Sequence, residues 1–387
     1  MKININILLK IILILEKIKS LVPIQGSSII EIEGKKLINF SSSDYLGLSN
    51  HSILIQRSQE YAAKYGIGSS ASRLVTGNIY LYDEIEKKLA HALNKPAALI
   101  FGTGYQANLS VLEALLNKKI LQQEPIIFCD RFIHNSMIQF TRHLGNIQRF
   151  RHNDLTHLQL LLEKFSKSEQ PKFILVESIY SMDGDQVDLS QLVSLAKQYQ
   201  AFLYVDDAHA VGLYGQNGWG KTIKYAENIS LIMGTFSKAL GSFGGYVGCS
   251  EVVREYLINH CKGFIYSTAL PPSILGAISA VIDLLPELLQ ERERVQCYAA
   301  QLRSFMDKHS LNYGTSQTHI VPWIIGDAKT TVYAAKCLEE YGILGTAIQP
   351  PTVPVGFARI RFCMSAKHTE QDLNHLCDAI GKVAAKL

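Results

Sequence analysis

Around Lys238 the chain reads Gly234-Thr235-Phe236-Ser237-Lys238-Ala239-Leu240-Gly241, and the apolar segment from Ile229 to Met233 comes directly before it. The apolar segment has the composition of a buried strand. Its end delivers the lysine into a small turn that also carries the hydroxyl groups of Thr235 and Ser237. A lysine amine becomes nucleophilic near neutral pH when burial or a nearby cation lowers its pKa. The stretch is therefore either a Schiff-base site or an ordinary surface lysine at a strand end.

A second strand end upstream favours the first interpretation. Phe202-Leu203-Tyr204-Val205 is typical of a parallel strand, and Asp206-Asp207-Ala208-His209 follows it. Ligands of open α/β sheets bind outside the carboxyl ends of the strands. One crevice would therefore receive a carboxylate, an imidazole, a hydroxyl and a lysine. Pyridoxal 5′-phosphate needs this set, because a lysine holds its aldehyde, a carboxylate keeps its ring nitrogen protonated and donors hold its phenolic oxygen.

Strand-like and helix-like segments alternate along the chain at a spacing of roughly 30 residues, which predicts a mostly parallel sheet with right-handed crossovers. Further strands are predicted at Leu99–Phe101, Ile126–Phe128 and Phe173–Glu177. One long helix is predicted from Pro272 through about Arg303. We predict an N-terminal helix and hairpin in 1–45, a large cofactor-binding domain in 46–284 and a small C-terminal domain in 285–387.

The turn Gly102-Thr103-Gly104-Tyr105-Gln106-Ala107-Asn108 lies between a predicted strand and a helix predicted at Leu109–Leu116. This order points backbone N–H groups and the positive end of a helix at a phosphate. The third glycine of a dinucleotide-binding turn is missing, so the turn suits a single phosphate. Tyr105 can add a hydroxyl group or a ring face.

Asp206-x-x-His209 followed by Thr235-x-Ser237-Lys238 resembles the α-oxoamine synthases, and the resemblance extends from about Phe40 to the C-terminus. These are fold-type-I pyridoxal-phosphate enzymes that condense an amino acid with an acyl thioester and release carbon dioxide. The resemblance implies an α/β fold with a mostly parallel central sheet, helices on both of its faces and a smaller α+β C-terminal domain.

The resemblance also implies roles for individual residues. Lys238 would hold the cofactor and later remove the Cα proton, Asp206 would face the ring nitrogen, and His209 would donate to the phenolic oxygen. His134 would stack on the ring and border the substrate, although a lone histidine is more often structural. The implied cofactor-binding set further includes Gly104, Tyr105, Ser181 and Thr235.

On the substrate side, the resemblance implies that Arg361 holds the carboxylate of the amino acid and that Thr352 contacts the substrate. Arg361 and Arg359 share one face of a predicted strand, Ala358-Arg359-Ile360-Arg361-Phe362, because side chains alternate along a strand. An arginine fork suits a carboxylate. The alternative is a solvated basic edge.

Within the family the resemblance favours L-alanine and a pimeloyl thioester, either pimeloyl-CoA or pimeloyl-acyl-carrier protein, as in biotin biosynthesis. Glycine-using relatives with acetyl or succinyl groups, and a serine-using membrane-associated relative, remain alternatives. A catalytically silent partner subunit is disfavoured because Lys238 and Asp206 are both present. Three departures concern substrate recognition: Ser43 replaces an Asn, Gln349 replaces a frequent Arg, and the N-terminus offers Lys17 and Lys19 rather than Arg.

Composition excludes some other classes. The net charge of +4 is too small to indicate nucleic-acid binding, and the 7 cysteines form no C-x-x-C pair, which argues against disulfides and metals. We therefore expect a cytoplasmic enzyme. The apolar segment Met1 to Leu15 is interrupted by Lys10, so an amphipathic first helix is predicted rather than a membrane segment. The resemblance implies a homodimer, with the small-residue loop Gly66–Leu74 near the cofactor across the dimer interface.

Overall fold

The structure is a computed structural model that describes residues 20–141 and 146–387. The strands of this part of the chain are β1 (Leu21–Pro23), β2 (Ile29–Ile32), β3 (Lys35–Asn39), β4 (Ala97–Phe101), β5 (Ile126–Asp130), β6 (Ile147–Phe150), β7 (Lys172–Glu177), β8 (Ala201–Asp206), β9 (Leu231–Thr235), β10 (Gly245–Cys249), β11 (Ile320–Gly326), β12 (Ile343–Leu344), β13 (Thr346–Ile348) and β14 (Ala358–Cys363). The helices are α1 (Ser52–Tyr65), α2 (Leu81–Ala92), α3 (Gly104–Leu115), α4 (Lys118–Leu121), α5 (Asn135–Thr141), α6 (Leu155–Lys164), α7 (Leu189–Gln198), α8 (Glu251–His260), α9 (Lys262–Ile265), α10 (Pro272–Leu284), α11 (Leu289–Lys308), α12 (Ala328–Glu340) and α13 (Glu370–Ala384).

A seven-stranded sheet in the order β4-β10-β9-β8-β7-β5-β6 forms the centre of the fold. Every neighbouring pair from β9 to β6 is parallel, and β10 runs antiparallel to both β4 and β9. Strands β4, β5, β9 and β10 are buried at every residue, as expected for a sheet covered on both faces. The predicted mostly parallel sheet is confirmed.

Two smaller sheets complete the fold, in the orders β1-β2-β3-β12 and β11-β14-β13. The predicted hairpin is present, since β2 and β3 pair antiparallel and Glu33 and Gly34 form the turn with φ values of 50° and 79°. Strand β3 then pairs in parallel with β12, so the hairpin is joined to the C-terminal third of the chain. The predicted first helix in residues 1–15 lies outside the described residues. The predicted domain boundaries at 45 and 284 stay predictions.

Two predicted helix boundaries were wrong. The single long helix is instead α10 and α11, which meet at 75° across a short 3-10 turn, Leu285–Glu287. Pro286 explains the break, because proline lacks the N–H of the helix ladder and its ring crowds the preceding turn. Helix α3 begins at Gly104 rather than Leu109, because the Thr103 hydroxyl accepts a hydrogen bond of 3.0 Å from the Gln106 N–H and caps the helix there.

Within residues 20–141 and 146–387, no single helix has the length and apolar character needed to cross a membrane, and only the bent pair Pro272–Glu287 and Leu289–Lys308 satisfies those two criteria together.

A half-buried histidine, His152, joins the strand ends of β5 and β6 to the segment that follows β7. The His152 ring nitrogens lie 2.9 Å from Asp130 Oδ1 and 3.0 Å from Asp185 Oδ2. Asn153 adds hydrogen bonds of 2.7 Å from its backbone N–H to Asp130 and 3.0 Å from its side chain to Asp185. Burial alone would lower the pKa of His152, but the two carboxylates outweigh burial and raise that pKa to about 10. Through its contacts with Asp130 and Asp185, the charged His152 ring thus links residues 178–187 to the sheet.

We predict that His152→Asn destabilises the protein in a pH-dependent way. The raised pKa means that the stabilisation is fully present below the unfolded-state pKa of roughly 6.5 and is lost as pH rises through about 10. Each hydrogen bond to a charged group is worth roughly 1.5–3 kcal/mol. Chemical denaturation of both proteins between pH 6 and 10 measures the difference. Asp185→Asn is expected to flatten the dependence. A difference that is constant across this range would contradict a charged His152.

Candidate active site

Seven of the predicted site residues line one cavity of about 230 Å³ at the carboxyl edge of the central sheet. They are Gly104, Tyr105, His134, Asp206, His209, Thr235 and Lys238. The ends of β7, β8 and β9 and the start of α3 supply the cavity wall. Parallel pairing places these ends side by side, with Glu177 opposite Asp206 and Asp206 opposite Met233.

Lys238 is held at the cavity by a chain of hydrogen bonds. Its Nζ lies 2.9 Å from His209 Nε2, and His209 Nδ1 lies 2.8 Å from the hydroxyl of Tyr45. An imidazole with its proton on Nδ1 donates to the Tyr45 oxygen and accepts from Lys238, whereas a proton on Nε2 requires a neutral Lys238 amine as its acceptor. Burial lowers the pKa of Lys238, and burial together with the Lys238 charge lowers the pKa of His209 well below its ordinary value. The site therefore favours a neutral imidazole beside an amine that loses its proton more easily than a surface lysine does.

Asp206 receives a donor at each oxygen. Its Oδ2 accepts a hydrogen bond of 2.7 Å from the Asn108 amide, and its Oδ1 accepts one of 2.9 Å from the Ala208 N–H. The Tyr204 hydroxyl donates to Asn108 Oδ1 at 2.7 Å, which turns the amide N–H₂ toward Asp206. The two donors fix the position of this carboxyl group at the cavity.

His134 belongs to the same network. Its Nδ1 lies 2.7 Å from the Ser136 hydroxyl, and that hydroxyl also accepts a hydrogen bond of 2.9 Å from Asn108. Burial lowers the pKa of His134, so a neutral ring is favoured. Tyr105 meets the His134 ring edge-on at 6.4 Å between centroids and is itself 44% exposed.

The start of α3 offers backbone N–H groups to the cavity. A side chain at Gly104 would place its Cβ 2.8 Å from Met233 Cε and 3.4 Å from Thr235 Cβ, so glycine keeps this approach open. The Thr235 hydroxyl donates to the Gly244 carbonyl at 2.8 Å and lies 2.8 Å from the Ser237 hydroxyl. A phosphate group would meet the helix N-terminus beside these hydroxyl groups.

The two arginines of β14 both reach the segment that follows β7, as their shared strand face predicts. Arg359 is 2% exposed, pairs with Asp183 at 2.6 Å and donates to the Met182 carbonyl at 3.0 Å. Arg361 donates to the Ser181 carbonyl at 3.0 Å. Arg359 is therefore committed to an internal ion pair, whereas Arg361 keeps its charge without an acidic partner among its contacts in the described residues.

Three predicted residues, Thr352, Ser181 and Arg361, do not line the cavity. Thr352 is the most exposed of them, and its backbone N–H donates to the Gln349 carbonyl at 3.0 Å. Ser181 is almost fully buried and also lies outside the cavity wall, with its carbonyl turned to Arg361. The substrate role of Thr352 and the cofactor role of Ser181 stay predictions.

Four residues of the site were missed by the sequence analysis: Tyr45, Asn108, Ser136 and Glu177. Glu177 could have been found, because it ends a predicted strand at the same sheet edge as Asp206. The other three offered no local signal, since their contacts depend on the tertiary fold.

The fold and the cavity define a pyridoxal 5′-phosphate-dependent transferase of fold type I. The residues fit this cofactor: a buried amine, a carboxylate fixed by N–H donors, a flat imidazole and a helix N-terminus that glycine leaves open all line one cavity. The Oε1 atom of Glu177 is buried there without a hydrogen-bond partner among the described residues, which leaves one polar atom for a ligand to satisfy.

Comparison with known proteins agrees with this class. Residues 35–380 match the family of class I and II aminotransferases, and the chain belongs to this family. It is similar to the 8-amino-7-oxononanoate synthase of Gluconacetobacter diazotrophicus, with 44% identity over 373 residues, 96% of this chain and 94% of the relative.

Two solved structures show the same fold. A serine palmitoyltransferase from S. paucimobilis, with a bound PLP–myriocin aldimine, superposes with a TM-score of 0.88 at 26% identity over 95% of this chain and 92% of that chain. The 8-amino-7-oxononanoate synthase of Francisella tularensis superposes with a TM-score of 0.78 at 27% identity over 90% of this chain and 98% of that chain.

We predict different stability effects for the two arginines. Arg359→Met leaves the half-buried Asp183 without its ion-pair partner, and breaking a fully buried pair, which costs roughly 3–5 kcal/mol, sets the upper bound of the loss. Arg361→Met leaves the Ser181 carbonyl without its donor, at a cost of roughly 1–3 kcal/mol. Denaturant unfolding of the cofactor-free proteins measures both, and each variant is the control for the other. Equal losses of stability in the two variants would contradict the conclusion that Arg359 forms a structural ion pair and Arg361 does not.

Proposed function

We propose that the enzyme condenses L-alanine with a pimeloyl thioester, releasing carbon dioxide and the thiol, which is the reaction of the 8-amino-7-oxononanoate synthases in biotin biosynthesis. The thioester carrier is either CoA or acyl-carrier protein. The observation that carries the proposal is the cavity in which Lys238, His209, Asp206 and His134 converge. The relative from Gluconacetobacter diazotrophicus, which bears that enzyme name and matches nearly the whole chain, supports the choice of reaction.

Pyridoxal 5′-phosphate supplies an electron sink for the bond broken at Cα of the amino acid. In our proposal Lys238 would hold the cofactor at its aldehyde carbon, and once the amine of the amino acid has displaced it there, the free amine of Lys238 would take the proton from Cα. The lowered pKa of Lys238, caused first by burial, favours the neutral amine that both tasks need. His209 Nε2 lies 2.9 Å from Lys238 Nζ, at the position from which it would donate to the cofactor's phenolic oxygen.

Asp206, positioned by its two N–H donors, would face the ring nitrogen of the cofactor and keep that nitrogen protonated. His134, whose orientation is set by Ser136, would offer its flat ring to the cofactor ring. The N-terminus of α3, with Gly104, Tyr105 and the Thr235 hydroxyl, receives the phosphate.

Arg361 binds the carboxylate of the amino acid. Its planar fork can hold a carboxylate with two donors while its Nη1 remains on the Ser181 carbonyl. Gripping the carboxylate orients the bonds at Cα relative to the ring. We also assign Thr352 and His134 to the substrate side, where Thr352 is exposed and open to contact.

A homodimer in the cytoplasm completes the proposal. The segments around Ser72 and Thr268 meet in a β-bridge and carry the exposed apolar residues Val75, 72% exposed, and Tyr266, 81% exposed. Apolar surface of this kind suits contact with a second copy of the chain. All seven cysteines are free, which suits a reducing compartment.

The test is a substrate matrix with the purified, cofactor-loaded enzyme. Alanine, glycine and serine are each offered with pimeloyl, acetyl, succinyl and palmitoyl thioesters, and thiol release is followed. We expect the highest kcat/KM with alanine and a pimeloyl thioester, and no turnover by Lys238→Ala. Serine with palmitoyl-CoA as the best pair would instead place the enzyme with its serine palmitoyltransferase neighbours.

A second prediction concerns Arg361→Lys, which keeps the charge but loses the planar fork. A charge-assisted hydrogen bond is worth roughly 1.5–3 kcal/mol, so the apparent affinity for alanine should fall by about ten- to a hundredfold. The visible spectrum of the cofactor and the KM for the thioester should stay close to those of the parent enzyme. A rise confined to the thioester KM would move Arg361 to the acyl site.

A further inference from the structure

Two carboxyl groups lie at the cofactor cavity, each on the last residue of one of two neighbouring strands. Glu177 is the last residue of β7 and Asp206 the last residue of β8, and the two are register partners. Both line the cavity, with exposures of 2% and 6%. Carboxylates this close in a buried site repel each other, so one of them is favoured to hold a proton.

The hydrogen-bond donors around the pair distinguish its two members. Asp206 accepts from Asn108 and from the Ala208 N–H, one donor at each oxygen. Glu177 receives a backbone hydrogen bond from His134, while its Oε1 has no partner in the part of the chain that the structure describes. A carboxyl oxygen that carries a proton donates a hydrogen bond and therefore needs an acceptor rather than a donor. The Oε1 atom is not occupied by a donor among the described residues, so it can carry the proton.

Burial and the surrounding charges, taken together, also favour a proton on Glu177. Burial, followed by the charge of Asp206, raises the pKa of Glu177 well above its ordinary value, and Asp130 adds to the rise. Lys238 and the His134 N–H oppose it. The opposition of Lys238 is reduced because burial lowers its own pKa.

We propose that Glu177 is the proton-bearing member of this carboxyl pair and that its O–H donates a hydrogen bond to an acceptor atom of the bound cofactor. The proposal rests on the cofactor of the proposed function and is independent of which amino acid or thioester the enzyme uses. A neutral Glu177 also leaves Asp206 as the single negative charge of the pair, so Lys238 faces one carboxylate rather than two.

Infrared spectroscopy of the cofactor-free protein at neutral pH tests the protonation directly. A protonated carboxyl group absorbs at a carbonyl stretch that carboxylates lack, and we expect Glu177→Gln to remove one such band. Glu86→Gln is the matched control, since Glu86 is 3% exposed but its carboxylate pairs with Arg73, and its removal should leave the band in place. An unchanged band in Glu177→Gln would overturn the proposal.

Cofactor affinity tests the donor role. Glutamine is neutral and keeps an N–H donor, so Glu177→Gln should bind pyridoxal 5′-phosphate within about threefold of the parent protein, whereas Glu177→Leu should bind about tenfold or more weakly. Circular dichroism checks that both variants fold. Equal weakening in both variants would show that the charge of Glu177, rather than a proton, is what the cofactor needs. Because neither readout uses turnover, a failure of the alanine and pimeloyl assay would leave this result interpretable.

Discussion

Burial of the central sheet on both faces is the constraint on which the site depends. Within β8, Leu203, Tyr204 and Val205 are fully buried, and an unpaired charge at any of these positions would cost several kcal/mol. Charged groups therefore appear where the strands end, at Asp130, Glu177 and Asp206, and the parallel pairing aligns those ends at one edge. The same burial raises the pKa of Glu177 and lowers the pKa values of Lys238 and His209.

The adjacent residues Asp206 and Asp207 have different roles at this edge of the sheet, since Asp207 makes structural contacts and Asp206 faces the cavity. Asp207 is 1% exposed, and its oxygens accept from the Ser178 hydroxyl and from both the N–H and the hydroxyl of Thr222. A Cβ at Gly220, whose φ is +98°, would lie 1.9 Å from Asp207 Oδ2, so only glycine allows this approach. Asp207 thus joins the chain segments that contain Ser178, Gly220 and Thr222, while its neighbour Asp206 lines the cavity.

The sequence predicted the features that depend on local pattern. Strand positions followed from apolar runs, and the rule that ligands bind at the carboxyl ends of strands is sufficient to bring Asp206, His209 and Lys238 together in one crevice. The break between α10 and α11 was missed although Pro286 is visible, because the apolar periodicity continues across it. The N-cap at Thr103 was missed for a different reason, because the glycines beside it were interpreted as part of a longer turn.

What remained unpredictable are the contacts between distant parts of the chain. Tyr45 and His209 are 164 residues apart, and Asn108 and Asp206 are 98 apart. Neither spacing has a periodic signature, and only the closed fold makes these side chains neighbours. Glu177 is the instructive exception, because the strand-end rule that selected Asp206 applies to it equally.

The C-terminal sheet reaches the site through two arginines that differ in their partners. Arg359 donates to the Phe357 and Met182 carbonyls and pairs with Asp183, which fixes β14 against the segment after β7. Side chains two residues apart on a strand point the same way, so anchoring Arg359 also sets where Arg361 projects. The Arg361 guanidinium is further positioned by the Ser181 carbonyl before any ligand arrives. A carboxylate that binds there meets a preorganised fork, and less of the interaction energy is lost in ordering a flexible side chain.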